Sequence, residues 1–548
     1  MIQSHPSQMK QNLQILLGLV LTLFSPFTDC AEGNCFIKNG DRIGFFGDSI
    51  TAHKVYGEMV ERVFRHAHPD ANVTFVNNGQ SGLKLSNTKI ETVVKGDPNV
   101  ITIMIGMNDA INSLWVQGDP IEPKVEQYRT ELTSLVRRLK EKGTTVVILS
   151  PTLTDETVPM SVFRLEGTKI LLRRMGEVCK EVAQAEAVFF VPVQSEFEDY
   201  QLTIPRYGLL RPDGVHPCAR GHYQIARSLW THLNLGGLLE GDRMVPPEPV
   251  RLSVDLVADA NILPLDSISI PLTLRTTFPG PVTVSWSSGE ATGSERLDLT
   301  GTNALDLTLP VPVIPQLADT SSAVVVEIER QGLRRYFVLD LFCKPVLHGN
   351  NGEARASITN ASGEVICTYR VAREDKALRI EVSVIKDDLI HHPGSMWPWS
   401  AGDWLNLLLD LRDPSDFAGL GYDGNVFQVW FTPQEIPMFS PGFIPWAGKH
   451  ITKLATPYGA RTDTGYTVGL LLSGSPNIKE SVDYSKRSYI GLDLSLGYVE
   501  SEKNRSSWGI QKPDRESFLY PGTFTLVDID GTIPTDTALT LSLFPDPE

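Results

Sequence analysis

Between residues 41 and 235 five short apolar runs, at 42–46, 73–76, 100–105, 145–149 and 188–193, alternate with longer segments whose apolar residues recur at helical spacing, at 55–67, 125–142, 162–183 and 220–233. No other feature restricts the fold so tightly. Short runs rich in β-branched residues are what a parallel sheet covered on both faces requires, and amphipathic helices returning the chain between them supply the cover. The expectation is a three-layer α/β domain with roughly five parallel strands, whose ligand chemistry collects where strands end and loops lead into helices.

That domain accounts for less than half of a chain of 548 residues, which is too long for one hydrophobic core and should divide into about two to four domains. Residues 235–250, Gly-rich and then reading Met244-Val245-Pro246-Pro247-Glu248-Pro249, have linker composition. From 250 to 345 strand-like runs separated by Pro, Gly, Asp and Asn suit a small immunoglobulin-like β-sandwich. The remainder is again β-rich and holds six of the nine tryptophans, Trp397, Trp399, Trp404, Trp430, Trp446 and Trp508. Flat apolar rings can stack on sugar faces, and they also fill sandwich cores, which is the commoner use of any single one. The divisions expected are 1–31, 36–238, 248–345 and 348–548.

Residues 1–31 read as an export signal: Lys10 supplies positive charge, residues 13–24 are apolar except Gln14, Gly18 and Thr22, and Pro26 ends the apolar stretch. That stretch is too short to span a bilayer and no later segment looks transmembrane, so the mature chain is expected outside the cytoplasm, secreted, periplasmic or at the cell surface. The six cysteines form no CxxC and no metal-spaced cluster, and their pairing is not fixed by their spacing. A net charge of -16 argues against nucleic acid as a partner. Oligomeric state is left open.

Reactive chemistry concentrates at the strand ends. Gly47-Asp48-Ser49-Ile50-Thr51 follows the first run, Asn77-Asn78-Gly79-Gln80 the second and Gly106-Met107-Asn108-Asp109 the third, while Asp213-Gly214-Val215-His216-Pro217 precedes the last helix-like segment. A serine hydroxyl attacks a carbonyl usefully only when an imidazole takes its proton and a carboxylate fixes that imidazole's tautomer. Ser49, His216 and Asp213 supply these three groups. The Ser49 and Gly79 N–H groups and the Asn108 amide could face the oxyanion. Asp48 and Asp109 read as supports that position two of the loops. His53, one turn beyond Ser49, reads as a solvent-facing helix residue, and His222 as one packing behind the loop; neither joins the catalytic set.

The four blocks together resemble the SGNH (GDSL-like) hydrolases, whose name lists the Ser, Gly, Asn and His blocks, in the same order over roughly residues 40–235. The resemblance implies a flavodoxin-like αβα sandwich, ester hydrolysis through an acyl-enzyme, and no metal or organic cofactor. It also implies a triad of Ser49, His216 and Asp213 with an oxyanion hole of Ser49, Gly79 and Asn108. Over roughly 348–545, the pieces Leu378-Arg379-Ile380-Glu381-Val382, Ala401-Gly402-Asp403-Trp404, Leu409-Asp410-Leu411-Arg412, Ile490-Gly491-Leu492-Asp493, Trp508 and Pro521-Gly522-Thr523-Phe524 resemble family 9 carbohydrate-binding modules and related DOMON-like sandwiches. The expectation is an exported serine esterase removing O-acetyl groups from polysaccharide. A lipid-directed lysophospholipase or thioesterase-like enzyme, and a glycan-binding protein with a silent hydrolase scaffold, are the alternatives.

Overall fold

The computed structural model describes residues 34–111, 120–156, 165–203, 209–211 and 213–239, then 254–258, 262–264, 269–276, 279–288, 291–300, 302–308, 321–360, 362–375, 377–386, 403–411, 426–431, 455–473, 486–501, 504–509, 525–532 and 537–543. The proposed export signal, most of the linker, Trp397, Trp399, Trp446 and Pro521-Gly522-Thr523-Phe524 lie outside these residues.

The first part is the expected α/β sandwich. Strands β1 (Arg42–Gly47), β2 (Thr74–Asn77), β3 (Val100–Met104), β4 (Thr145–Leu149) and β5 (Phe189–Val191) form one sheet in the order β2-β1-β3-β4-β5. Every pairing in it is parallel, and the order reverses at β1/β3, the point at which doubly wound sheets open a crevice. Helices α1 (Ser49–Ala52), α2 (Val55–Ala67), α3 (Ile90–Val93), α4 (Met107–Ile111), α5 (Glu122–Glu141), α6 (Thr168–Ala185), α7 (Val193–Thr203) and α8 (Ala219–His232) surround it. α2 packs along α8 and α5 along α6. The buried stripe of α2, Val55, Tyr56, Met59, Val60, Val63 and Phe64, follows its helical period. α6 begins at Thr168, where Gly167 takes φ 76 at its N-cap, a left-handed conformation that ends the incoming turn; the expected start at 162 lies outside the described residues.

Beyond residue 253 the described elements are antiparallel strands but for one short parallel pairing. Val254–Ala258, Ser269–Thr276 and Thr302–Thr308 form a three-stranded sheet. A five-stranded sheet built from Glu353–Thr359, Val365–Glu374, Ala377–Ile385, Gly465–Ser473 and Ala455–Thr462 shares a core with part of an eleven-stranded sheet. The expected boundary at 345–348 falls inside one strand, Leu333–His348. Its first part pairs with Ser321–Arg330, its last residues pair in parallel with Thr525–Asp528, and Thr537–Leu543 returns to pair with residues 339–345. Trp404 lies over the backbone of Gly497 in the neighbouring strand, where a Cβ would sit 2.2 Å from its ring, so this tryptophan serves packing.

The α/β part is joined to the β region that follows it. On α2, His66 Nδ1 is 2.6 Å from Ser287 Oγ, its ring meets Tyr336 edge-on, and Arg334 donates to the Gly236 carbonyl at 3.0 Å. Val325, Tyr336 and Val338 thereby enter the α/β core. Cys35, Cys179, Cys218 and Cys367 are buried. Among the described residues no helix is long and apolar enough to cross a membrane.

Candidate active site

The chain leaves β1 through Gly47, where a Cβ would stand 2.2 Å from both the Met104 carbonyl oxygen and Thr51 Oγ1, and turns at once into α1. Asp48 caps that helix, its Oδ1 accepting from the Ile50 N–H at 3.0 Å. The cap places Ser49 at the first helical position, nearly buried, with its N–H at the helix start where backbone donors have no intrahelical partner.

Across the chain, residues 213–217 form a compact loop. Asp213 Oδ1 accepts from the N–H groups of Val215 and His216, both at 2.9 Å, and Gly214 takes φ 72 to allow the turn. The Arg211 N–H donates to the His216 carbonyl at 2.7 Å, the Cys218 N–H to Leu209 at 2.9 Å and the Asp155 N–H to Gly214 at 2.8 Å, tying the loop to its neighbours.

These two turns bring the three sequence candidates together. Ser49 Oγ lies 2.9 Å from His216 Nε2, and His216 Nδ1 lies 2.8 Å from Asp213 Oδ2. An ionised carboxylate only accepts, so Nδ1 carries the proton and Nε2 is left as the acceptor facing the serine hydroxyl. Burial opposes ionisation of Asp213. The charge and hydrogen bond of His216, with Arg211 nearby, nevertheless hold its carboxyl well below the usual carboxylate range.

Gly79 lies on the loop after β2 and Asn108 on α4, each with duties of its own. A Cβ at Gly79 would fall 2.3 Å from the Ala52 nitrogen, so only glycine lets the second loop press against α1. The Gly79 N–H donates to Asn77 Oδ1 at 3.0 Å, and Asn77 Nδ2 donates to the Thr51 carbonyl at 2.6 Å. Asn77 is therefore a brace between the second loop and α1 that sequence reading passed over, although it stands in the same Asn-Asn-Gly turn. Asn108 is buried on α4 and donates through Nδ2 to the Leu83 carbonyl at 3.2 Å.

Asp48 and Asp109 connect loops. Asp48 holds Ile50 and also receives a hydrogen bond from the Met107 backbone; Asp109 accepts from the Leu85 N–H at 3.1 and 3.2 Å. Burial pushes each carboxyl up to about 6.

His53 differs from its sequence reading. Its ring faces that of His216 at 5.4 Å between centroids, its Nδ1 is buried without a hydrogen-bond partner, and burial followed by the nearby His216 charge holds its pKa down to about 2. His222, fully buried, meets His53 at 5.9 Å and stacks on Tyr56 at 6.2 Å. An i+4 spacing from Ser49 puts His53 on the face that carries the nucleophile; the pattern shared by the two residues was the available signal. Among the described residues no group of three or more His, Cys, Asp and Glu is arranged to hold a metal ion.

Residues 45–224 match the GDSL-like Lipase/Acylhydrolase family. Among solved structures, the chain is similar to Axe2, an acetylxylan esterase from Geobacillus stearothermophilus, with 23% identity over 38% of this chain and 100% of that one and a TM-score of 0.31. It is also similar to LAE5, an alpha/beta hydrolase enzyme from the metagenome of Lake Arreo, Spain, with 20% identity over 37% of this chain and 100% of that one and a TM-score of 0.31. No curated protein matches.

Proposed function

Taking residues 45–224 as a GDSL-like lipase/acylhydrolase segment, we propose that the chain is an exported serine esterase that hydrolyses carboxylic esters through an acyl-enzyme on Ser49, its natural substrate being O-acetyl groups on a polysaccharide. The observation that carries the reaction is the relay of 2.9 and 2.8 Å from Ser49 through His216 to Asp213.

In the first half-reaction Ser49 Oγ adds to the ester carbonyl while His216 Nε2 takes its proton, and Asp213 stabilises the imidazolium that forms. The carbonyl oxygen becomes an oxyanion beside the start of α1, where the Ser49 N–H and the Asn108 amide can donate to it. The Gly79 N–H joins them by sharing or leaving Asn77 Oδ1. His216 then returns the proton to the departing alcohol. Water repeats the sequence on the acyl-enzyme and releases the acid.

Export is supported by the composition of residues 1–31, and polymer association by the resemblance of the C-terminal β region to carbohydrate-binding sandwiches. Ser49→Ala should abolish hydrolysis of a short-chain aryl ester while the circular dichroism spectrum stays unchanged; wild-type turnover in that variant refutes the assignment. A series of aryl esters from acetyl to decanoyl tests the acyl group. Preference for acetyl supports the polysaccharide reading and preference for long chains reverses it.

A further inference from the structure

The strand Trp404–Asp410 alternates its side chains between two faces. Leu405, Leu407 and Leu409 enter the core of the C-terminal sandwich. Asn406, Leu408 and Asp410 point the other way, toward what would be water if the sandwich stood alone, yet all three are 0% exposed. Leu408 is covered from the α/β region: Cys218, Leu408 and Val426 form one buried apolar cluster. Val426 belongs to the adjacent strand, opposite Asp410, and so shares the outer face.

Cys218 lies two residues beyond His216 and is the N-cap of α8. The loop that carries His216 is therefore gripped twice. Hydrogen bonds with Leu209, Arg211 and Asp155 fasten it to the α/β region, and the side chain at its end is packed into the outer face of the C-terminal sandwich.

We infer that the C-terminal sandwich is a positioning element of the esterase site, with Leu408 and Val426 acting through Cys218 to hold the His216 loop in reach of Ser49. This rests on the reading of His216 as the general base. The physical reason is the steepness of proton transfer with distance: a shift of about 1 Å in a catalytic group costs on the order of 10²-fold in rate. A loop closed by one short turn would pass a displacement at Cys218 on to an imidazole two residues away. The sandwich face around Leu408 is thus an internal interface, and glycan contact, where it occurs, uses other surfaces.

The test is made in the full-length chain with Leu408→Glu, which puts a charge into the cluster, beside Leu408→Met, which keeps its apolar volume. Two quantities are measured: alkylation of Cys218 by a small thiol reagent, mapped by mass spectrometry, and kcat and KM on an aryl acetate over a range of pH. In the wild-type chain the Cys218 thiol is buried and its pKa raised, so it should resist the reagent. Leu408→Glu is expected to expose Cys218 and lower kcat at least tenfold with KM changed less than twofold, and Leu408→Met to restore both. Should Leu408→Glu fail to fold, Leu408→Ala and Val426→Ala carry the same two readouts with smaller changes in the same direction. An exposed Cys218 with wild-type kcat overturns the inference, as does a Cys218 that stays protected in every variant. Failure of the esterase reading itself is separate: the wild-type chain would then hydrolyse no ester, or Ser49→Ala would be active, whatever the thiol shows.

Discussion

Asp48 and Asp109 show how the site's supports are felt in solution. Both carboxyls titrate near 6 in the folded chain because they are buried, against 3.8 when exposed. Below about 4 both the folded and unfolded chains hold these protons. Between about 4 and 6 the unfolded chain releases them first, so stability falls as pH rises, by up to about 3 kcal/mol for each group, and the loss is complete above about 6. Asp213 has the opposite sign: its lowered pKa adds stability above about 4 that disappears on acidification. Asp48→Asn should therefore reduce the fall in apparent melting temperature between pH 4 and 6; an unaltered slope would remove Asp48 from this role. The meeting of Ser49, His216 and Asp213 was legible because few side chains suit a hydroxyl–imidazole–carboxylate chain, and the Ser49 block follows the first strand while the Asp213–His216 block precedes the last helix. The contact of His53 with His216 was not, since it depends on how a four-residue helix is rolled against a loop 160 residues away.

At the scale of elements, α1 is the component with the least tolerance. It has four residues, too few to be stable by helix propensity, and it is held by the Asp48 cap, by Asn77 on the Thr51 carbonyl and by the press of Gly79. Gly79→Ala would drive a methyl into the Ala52 backbone, and either α1 or the second loop must yield. The expected outcome is a loss of about 10²-fold in kcat/KM on an aryl acetate with the α/β fold retained; near wild-type kinetics would show that the loop moves and α1 does not. The parallel strands and the long amphipathic helices were readable to within a few residues, because a sheet covered on both faces imprints a run of apolar residues. The strand Ala291–Leu299 leaves little trace in the sequence: its GSERLD is polar on an exposed surface, and antiparallel pairing satisfies its backbone without demanding an apolar pattern.

For the whole molecule, shifts in composition mark regions along the chain but not how their strands pair. Linear reading places a boundary where local pattern changes, whereas Leu333–His348 runs through it and takes partners from both sides. Pairings so far apart in sequence leave no local signature. Removal of residues 533–548 should strip Thr537–Leu543 from that strand and open a row of unpaired backbone groups, lowering the melting temperature and promoting aggregation; a truncated chain that elutes and melts as the full-length one does would contradict the role given to this pairing. The same closing strand sets a timetable for the ribosome. The five parallel strands have all emerged by residue 191, but Leu333–His348 must wait for about 190 residues beyond its own end, on the order of ten seconds or more of synthesis. Stalled nascent chains ending before residue 533 should thus leave Leu333–His348 open to protease, its last partner arriving only with the final segment of the chain.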